Sequence, residues 1–308
     1  MRVLITGAGG FLGSQMARLL VREGCETFAL LRPESNPWRI LDILPSLQVV
    51  RGDILGGSGA IRGLVEQVRP EMCFHFAWFT QPGLYLQSDL NLQHLAASLT
   101  LAAELARQGC RRLVGAGTIS EYDLDLGYLS EASAVRPTTL YAASKLALQV
   151  ALAQFSITSG MSVLWPRVSF LYGPAEDEQR LVPAILCALL RGQPTRLTPG
   201  EQVRDYLHTQ DAAEGIWAAA RSALHGPVNI GSGLPVTVRQ VALLACQLAG
   251  RPDLVQLGAL PYRPGDAMFA CLNPSLVRET TGWQPRLTLE GGLRQAIDWW
   301  RAHLSQQS

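Results

Sequence analysis

Met1-Arg2-Val3-Leu4-Ile5-Thr6-Gly7-Ala8-Gly9-Gly10-Phe11-Leu12-Gly13 is the stretch on which the fold turns. Val3–Thr6 is an apolar run of strand length, and a helical period over Gln15–Glu23 follows the glycines. Gly7, Gly10 and Gly13 therefore stand at three-residue intervals between a strand and a helix. Glycines there permit a tight turn and close backbone approach, while the free N–H groups and dipole of the helix start suit a pyrophosphate. Gly7, Gly10, Phe11, Leu12 and Gly13 are thus candidate dinucleotide-binding residues. The spacing differs from the Gly-x-Gly-x-x-Gly of simpler dinucleotide folds, and a plain turn is the alternative for a glycine cluster read alone.

Outward from this turn the same alternation continues. Thr27–Leu31, Gln48–Val50, Met72–Phe76, Arg112–Val114 and Val163–Trp165 are short apolar runs, and Leu90–Arg107 and Leu140–Thr158 have helical character. Alternating strands and helices predict an α/β fold: a Rossmann-type doubly wound parallel sheet. Beyond Pro166 prolines punctuate shorter elements (Pro174, Pro183, Pro194, Pro199, Pro227, Pro235, Pro252, Pro261, Pro264, Pro274, Pro285), which predicts a smaller, less regular α/β C-terminal substrate lobe. The division expected is a dinucleotide-binding domain over 1–166, also including about 206–224, and a smaller second lobe over 167–308.

Bulk properties narrow the classes. With 17% charged residues and a formal charge of +1, the chain has no basic footprint for nucleic acid. No window approaches the roughly 20 apolar residues that cross a bilayer, and the N-terminal run reads as a first strand in place of a signal peptide. Six widely spaced cysteines with no Cys-x-x-Cys read as reduced core thiols of a cytoplasmic protein, and no metal site is expected.

The second predicted strand ends Ala29-Leu30-Leu31-Arg32. An acid at this corner bonds both ribose hydroxyls and repels a 2′-phosphate; here Arg32 stands instead, positioned to pair with that phosphate. NADP(H) is therefore expected to be preferred, with NAD(H) possible, and a solvated arginine is the plain alternative. Asp53, followed by Ile54, comes after the third strand, where a carboxylate meets the adenine amino group or caps a loop.

Tyr141-Ala142-Ala143-Ser144-Lys145 opens a helix, so i, i+4 spacing puts phenol and ammonium on one face. The Lys145 cation is expected to pull the phenol pKa down and make Tyr141 an acid or base near neutrality. A core tyrosine above a surface lysine is the alternative. Thr118, after the strand Arg112–Val114, falls at the carboxyl edge of the sheet, where a hydroxyl can hold a substrate oxygen or serve an ordinary strand end.

With these pieces in register, the chain resembles the NAD(P)-dependent epimerase/dehydratase branch of the extended short-chain dehydrogenases. The likeness runs through Thr6–Gly13, Asp53-Ile54, His75-Phe76-Ala77, Asn91, Thr118, Tyr141 with Lys145, Arg167, Tyr172-Gly173-Pro174, Arg204-Asp205-Tyr206, Asp211, Asn229–Gly233, Arg263-Pro264-Gly265-Asp266 and Gly282-Trp283-x-Pro285. The resemblance implies catalytic roles for Thr118, Tyr141 and Lys145, with Lys145 also on the nicotinamide ribose and Ala77 and Asn91 near the cofactor. It implies a nucleoside-diphosphate sugar between the lobes, with Arg204 and Arg263 on its pyrophosphate. It also implies a homodimer through a four-helix bundle built from Leu90–Arg107 and Leu140–Thr158.

Departures from the family pattern sharpen the expectation. Dehydratases carry Asp-Glu after the catalytic Thr; Ile119 and Ser120 stand here, so water loss is disfavoured. Ala77-Trp78-Phe79 replaces small residues, and Phe170 lies before Tyr172-Gly173-Pro174, which suggests a less polar sugar pocket lined by Trp78 and Phe170. Trp78 and Phe79 as plain packing aromatics is the alternative. The function expected is NADPH-dependent reduction of the C4 ketone of a nucleoside-diphosphate 4-keto-6-deoxyhexose, as in the abequose/paratose synthase group. A nucleotide-sugar 4-epimerase and a non-catalytic dinucleotide-binding regulatory protein are the alternatives.

Overall fold

A computed structural model describes residues 1–263 and 265–306; Pro264, named in the Arg263–Asp266 motif, lies outside the described residues. The first half supplies β1 (Arg2–Thr6), α1 (Phe11–Arg22), β2 (Glu26–Leu31), β3 (Gln48–Arg51), α2 (Ser58–Val68), β4 (Met72–His75), α3 (Leu90–Arg107) and β5 (Arg112–Gly115). Next come β6 (Gly117–Thr118), β7 (Tyr128–Leu129), α4 (Leu140–Ser159), β8 (Ser162–Val168) and β9 (Phe170–Tyr172). The rest comprises α5 (Leu181–Leu190), β10 (Thr195–Arg196), β11 (Val203–His208), α6 (Thr209–Ala220), β12 (Gly226–Ile230), β13 (Pro235–Thr237), α7 (Val238–Ala249), β14 (Val255–Gln256), β15 (Phe269–Leu272), α8 (Ser275–Thr281) and α9 (Leu289–Ser305).

The main sheet is parallel, in the order β12-β8-β5-β4-β1-β2-β3, with β6 also on β8. Val3, Leu4 and Ile5 are fully buried because helices cover both faces, which is why the central strands read as continuous apolar runs. Strand order reverses between β1 and β4, and the crevice at their carboxyl ends is where ligands bind in such sheets. Gly7 sits at that crevice, and the triad enters from β6 and α4 beside it. The strand expected at Val163–Trp165 runs on to Val168, past the proline that marks the change of texture, and Gly226–Ile230 forms an edge of this sheet.

The smaller α/β lobe is built on β11, which pairs in parallel with β9 and β15 and antiparallel with β13, and is packed by α5, α7 and α9. Together the two parts make the Rossmann-type sheet with a C-terminal α/β lobe. Among the described residues α4 is long and apolar enough, by length and composition, to cross a bilayer, contrary to the expectation that no window approaches it. Its apolarity has another use, since it packs on α3 and β8 and carries Tyr141 and Lys145 at its first turns.

Candidate active site

The glycine turn is fixed by contact distances. Gly7 is left-handed (φ +77°), and a Cβ on it would lie 2.7 Å from the Ala77 nitrogen; one on Gly13 would lie 2.0 Å from the Gly7 carbonyl oxygen. Gly13 thus lets α1 seat directly on the turn, as Gly7 lets the turn seat on the end of β4. The first turn of α1 has no side-chain cap and no acid, so the N–H groups of Phe11, Leu12 and Gly13 are left for an external acceptor. These residues fit a dinucleotide pyrophosphate.

The other cofactor-side candidates are placed more variously. Arg32 directly follows β2, its largely exposed side chain 3.7 Å from Glu34, so this corner holds a carboxylate beside the guanidinium. Asp53 accepts from the Leu55 N–H (2.9 Å), capping a short turn that begins with buried Ile54. The Ala77 N–H donates to Thr6 Oγ1 (3.2 Å). Asn91, fully buried, donates to the Tyr85 and Ser88 carbonyls (2.7 and 2.8 Å) and accepts from the Trp78 indole (2.8 Å), so its amide ties the 85–88 loop to Trp78.

Thr118, Tyr141 and Lys145 converge. Thr139 caps α4 by accepting from the Ala142 N–H (3.2 Å), and the Tyr141 N–H donates to the Leu86 carbonyl (3.0 Å), which locks the helix start against the 80–88 loop. The Thr118 side chain stands close enough to the Tyr141 phenol to favour its ionised form. Lys145 is buried, its Nζ 5.9 Å from the Tyr141 ring centroid and 3.8 Å from that of Trp78.

Electrostatics corrects the expectation that Lys145 lowers the phenol pKa. Burial first, then Tyr85 and Glu121, pushes Tyr141 above its ordinary value, against smaller lowering effects of Thr118 and Arg180. Burial also drags Lys145 down to about 7, with Glu121 opposing. In a site this dry, removing a charge from water outweighs one neighbouring cation.

Three further residues were not singled out from the sequence. Glu121 is fully buried: it accepts from the Thr118 N–H (2.9 Å), the Trp165 indole (3.0 and 3.2 Å) and Arg167 Nε (2.7 Å). Tyr85 meets Tyr141 edge to face (centroids 4.9 Å apart), and Arg180 lies over Tyr85 (5.0 Å) while donating to the Thr80 carbonyl (2.9 Å). The Thr-x-x-Glu spacing of Thr118 and Glu121 is a capping-box signal that could have found Glu121. Tyr85 and Arg180 reach Tyr141 from distant loops, and no local pattern marks them.

On the sugar side Arg204 is buried, donates to Asp266 (2.9 Å) and lies over Phe170 (5.3 Å). Arg263 is exposed, and its carbonyl accepts from the Asp266 N–H (3.1 Å). A groove of about 790 Å³ opens elsewhere, beside Trp38, Glu176, Arg191 and Trp299, and includes none of the triad.

A model of the NAD dependent epimerase/dehydratase family matches residues 3–231. A dTDP-glucose 4,6-dehydratase of Xanthomonas campestris pv. campestris is 26% identical, over 96% of this chain and 92% of that protein. Among solved structures, the UDP-glucose 4-epimerase of Thermus thermophilus, in complex with NAD, is 28% identical, with a TM-score of 0.84 over 98% of this chain and 99% of that one. A double mutant of the dTDP-glucose 4,6-dehydratase of Streptomyces venezuelae, with NAD bound, is 26% identical with a TM-score of 0.88, over 99% of this chain and 98% of that one. Both hold NAD, which overturns the preference for NADP(H) expected from Arg32. At that corner Glu34 sets a carboxylate 3.7 Å from the Arg32 guanidinium, a negative charge that a 2′-phosphate would meet along with the arginine.

Proposed function

The chain belongs to the NAD dependent epimerase/dehydratase family, is an NAD(P)-dependent oxidoreductase of nucleotide sugars, and is, we propose, a 4-epimerase of a nucleoside-diphosphate hexose working with NAD. The observation that carries this reading is the contrast around Thr118. The triad is complete, yet Ile119 and Ser120 offer no carboxylate for removing water, and the adjacent Glu121 is engaged by Thr118, Trp165 and Arg167. Proton exchange at one oxygen is provided for; proton transfer at a second carbon is not.

When bound, NAD supplies an acceptor for the C4 hydride and a positive charge beside the phenol. Tyr141 Oη, as the phenolate which that positive charge would favour, would take the 4-hydroxyl proton during oxidation at C4 and, as the phenol, would return it to the same oxygen during reduction. Thr118 Oγ1 hydrogen-bonds that oxygen, and Lys145 adds positive charge next to it. Arg204 and Arg263 hold the diphosphate, which suits a fork-shaped cation; Phe170 lines the pocket. Asp53 and Ile54 sit against the adenine, and Ala77 against the nicotinamide side.

The test is incubation of purified protein with UDP-, dTDP-, GDP- and CDP-hexoses, with product identification by NMR. A 4-epimer formed without net change in NADH, and lost in Tyr141→Phe, is expected. A 4-keto-6-deoxy product would instead assign dehydration. NADH consumed by a 4-keto-6-deoxyhexose would assign the 4-ketoreductase.

The same reading includes a cytoplasmic homodimer. α3 and α4 pack side by side and leave Leu92, Leu99, Val150 and Ile157 exposed, an apolar face suited to pairing of the two helices with their symmetry mates. Light scattering giving the monomer mass would reject the dimer.

A further inference from the structure

Lys145 is the only lysine among the 308 residues, every other strong cation in the chain being arginine. Among the described residues no carboxylate lies within salt-bridge distance of its buried ammonium. What it meets is the face of the Trp78 ring, 3.8 Å from Nζ to the centroid. That ring is held from two further directions. Its N–H donates to Asn91 Oδ1 (2.8 Å), and its other partner is the imidazole of His94, stacked at 5.3 Å and 24°. Asn91 is anchored in turn by the Tyr85 and Ser88 carbonyls, so the indole has little freedom to turn away.

We propose that Trp78 is a positioning residue for Lys145, its indole face seating the ammonium at the reaction centre through a cation–π contact. A buried ammonium needs a source of negative potential, and the indole face is the strongest that an aromatic side chain offers. The other titratable groups around it divide. Glu121, on the turn after β6, favours the charged form. His75 at the end of β4 and His94 on α3 are both held neutral, so neither repels it. Tyr141, on its own helix, presents a ring at 5.9 Å. The inference rests on Lys145 acting in the proposed reaction, but it can be tested without turnover.

A single lysine makes the test clean, because 13Cε-lysine labelling gives one side-chain signal, to be titrated in NAD-saturated protein. In the wild type the Lys145 Hε protons are expected well upfield of an exposed lysine's, being over a ring face. Trp78→Phe is expected to keep an upfield shift and a midpoint within about half a unit, and Trp78→Leu, which keeps the apolar wall without the ring, to lose the shift and drop the midpoint by about one unit. Leu95→Ala, which loosens the same cluster without touching the ring, is expected to leave the signal unchanged. In turnover, kcat falls in Trp78→Leu and recovers in Trp78→Phe, with KM for the sugar unchanged. An unshifted wild-type signal would overturn the proposal even if Trp78→Leu does not fold. So would an unchanged or raised midpoint in Trp78→Leu, or a KM effect alone, which would give Trp78 to the substrate.

Discussion

Replacing Glu121 by Gln tests the internal support of Thr118. The side chain keeps its shape, but Arg167, itself buried, is left with no countercharge at 2.7 Å, and one amide arm faces donors it cannot accept from. Removing one partner of a buried ion pair costs about 3–5 kcal/mol, since the surviving charge stays desolvated. For a chain of this size that corresponds to a Tm lowered by about 5–8 °C. The carboxylate also anchors the Thr118 N–H and favours the charged form of Lys145, so the Lys145 pKa should fall further below about 7. Urea unfolding of Glu121→Gln, Arg167→Met and the pair Glu121→Met/Arg167→Met separates the terms. Both single variants should be strongly destabilised, and the double variant should recover much of the loss, because an apolar pair leaves no buried charge. A Glu121→Gln protein within about 0.5 kcal/mol of wild type would refute the reasoning, since the carboxylate would then contribute no more than a surface group.

Gly13→Ala places a methyl 2.0 Å from the backbone oxygen of Gly7, a contact no side-chain rotation relieves; loss of copurifying NAD by absorbance, with destabilisation of at least about 2 kcal/mol, is expected. Burial first, and the Lys145 charge second, holds His75 at about 3 and His94 at about 4. Because these folded values are depressed, the stability they contribute is complete above the unfolded value near 6.5 and is lost as pH falls toward the folded ones. His75→Gln should therefore flatten the pH dependence of unfolding free energy below pH 6 by about 1.4 kcal/mol per unit, and an unchanged slope would refute the assignment. Arg204→Leu should weaken binding of a nucleoside diphosphate about 10- to 100-fold by calorimetry, with only partial recovery in Arg204→Lys, which lacks the fork.

The sequence was most legible where a property depends on neighbours along the chain. Gly7 and Gly13 announce a turn because only glycine fits there, and the distances to Ala77 and Gly7 bear that out. Tyr141 and Lys145 share a face because helical geometry at i, i+4 requires it. Arg32 shows the limit of such reading. Its charge at the end of β2 was plain, but its pairing with Glu34 depends on how the following loop turns.

By itself, then, the sequence determined the alternation that makes a parallel sheet, the glycine turn after its first strand and the shared helix face of Tyr141 and Lys145, all set by local backbone geometry and side-chain type. Tertiary structure alone decided the state of those residues. Lys145 is drawn down to about 7 and Tyr141 pushed up because strands and helices far apart in sequence exclude water from them. Trp78 over Lys145, Glu121 against Arg167 and Arg180 over Tyr85 each join residues from distant parts of the chain, and packing alone brings them together. Burial and long-range contact are properties of the assembled chain, and they set the electrostatics on which the chemistry depends.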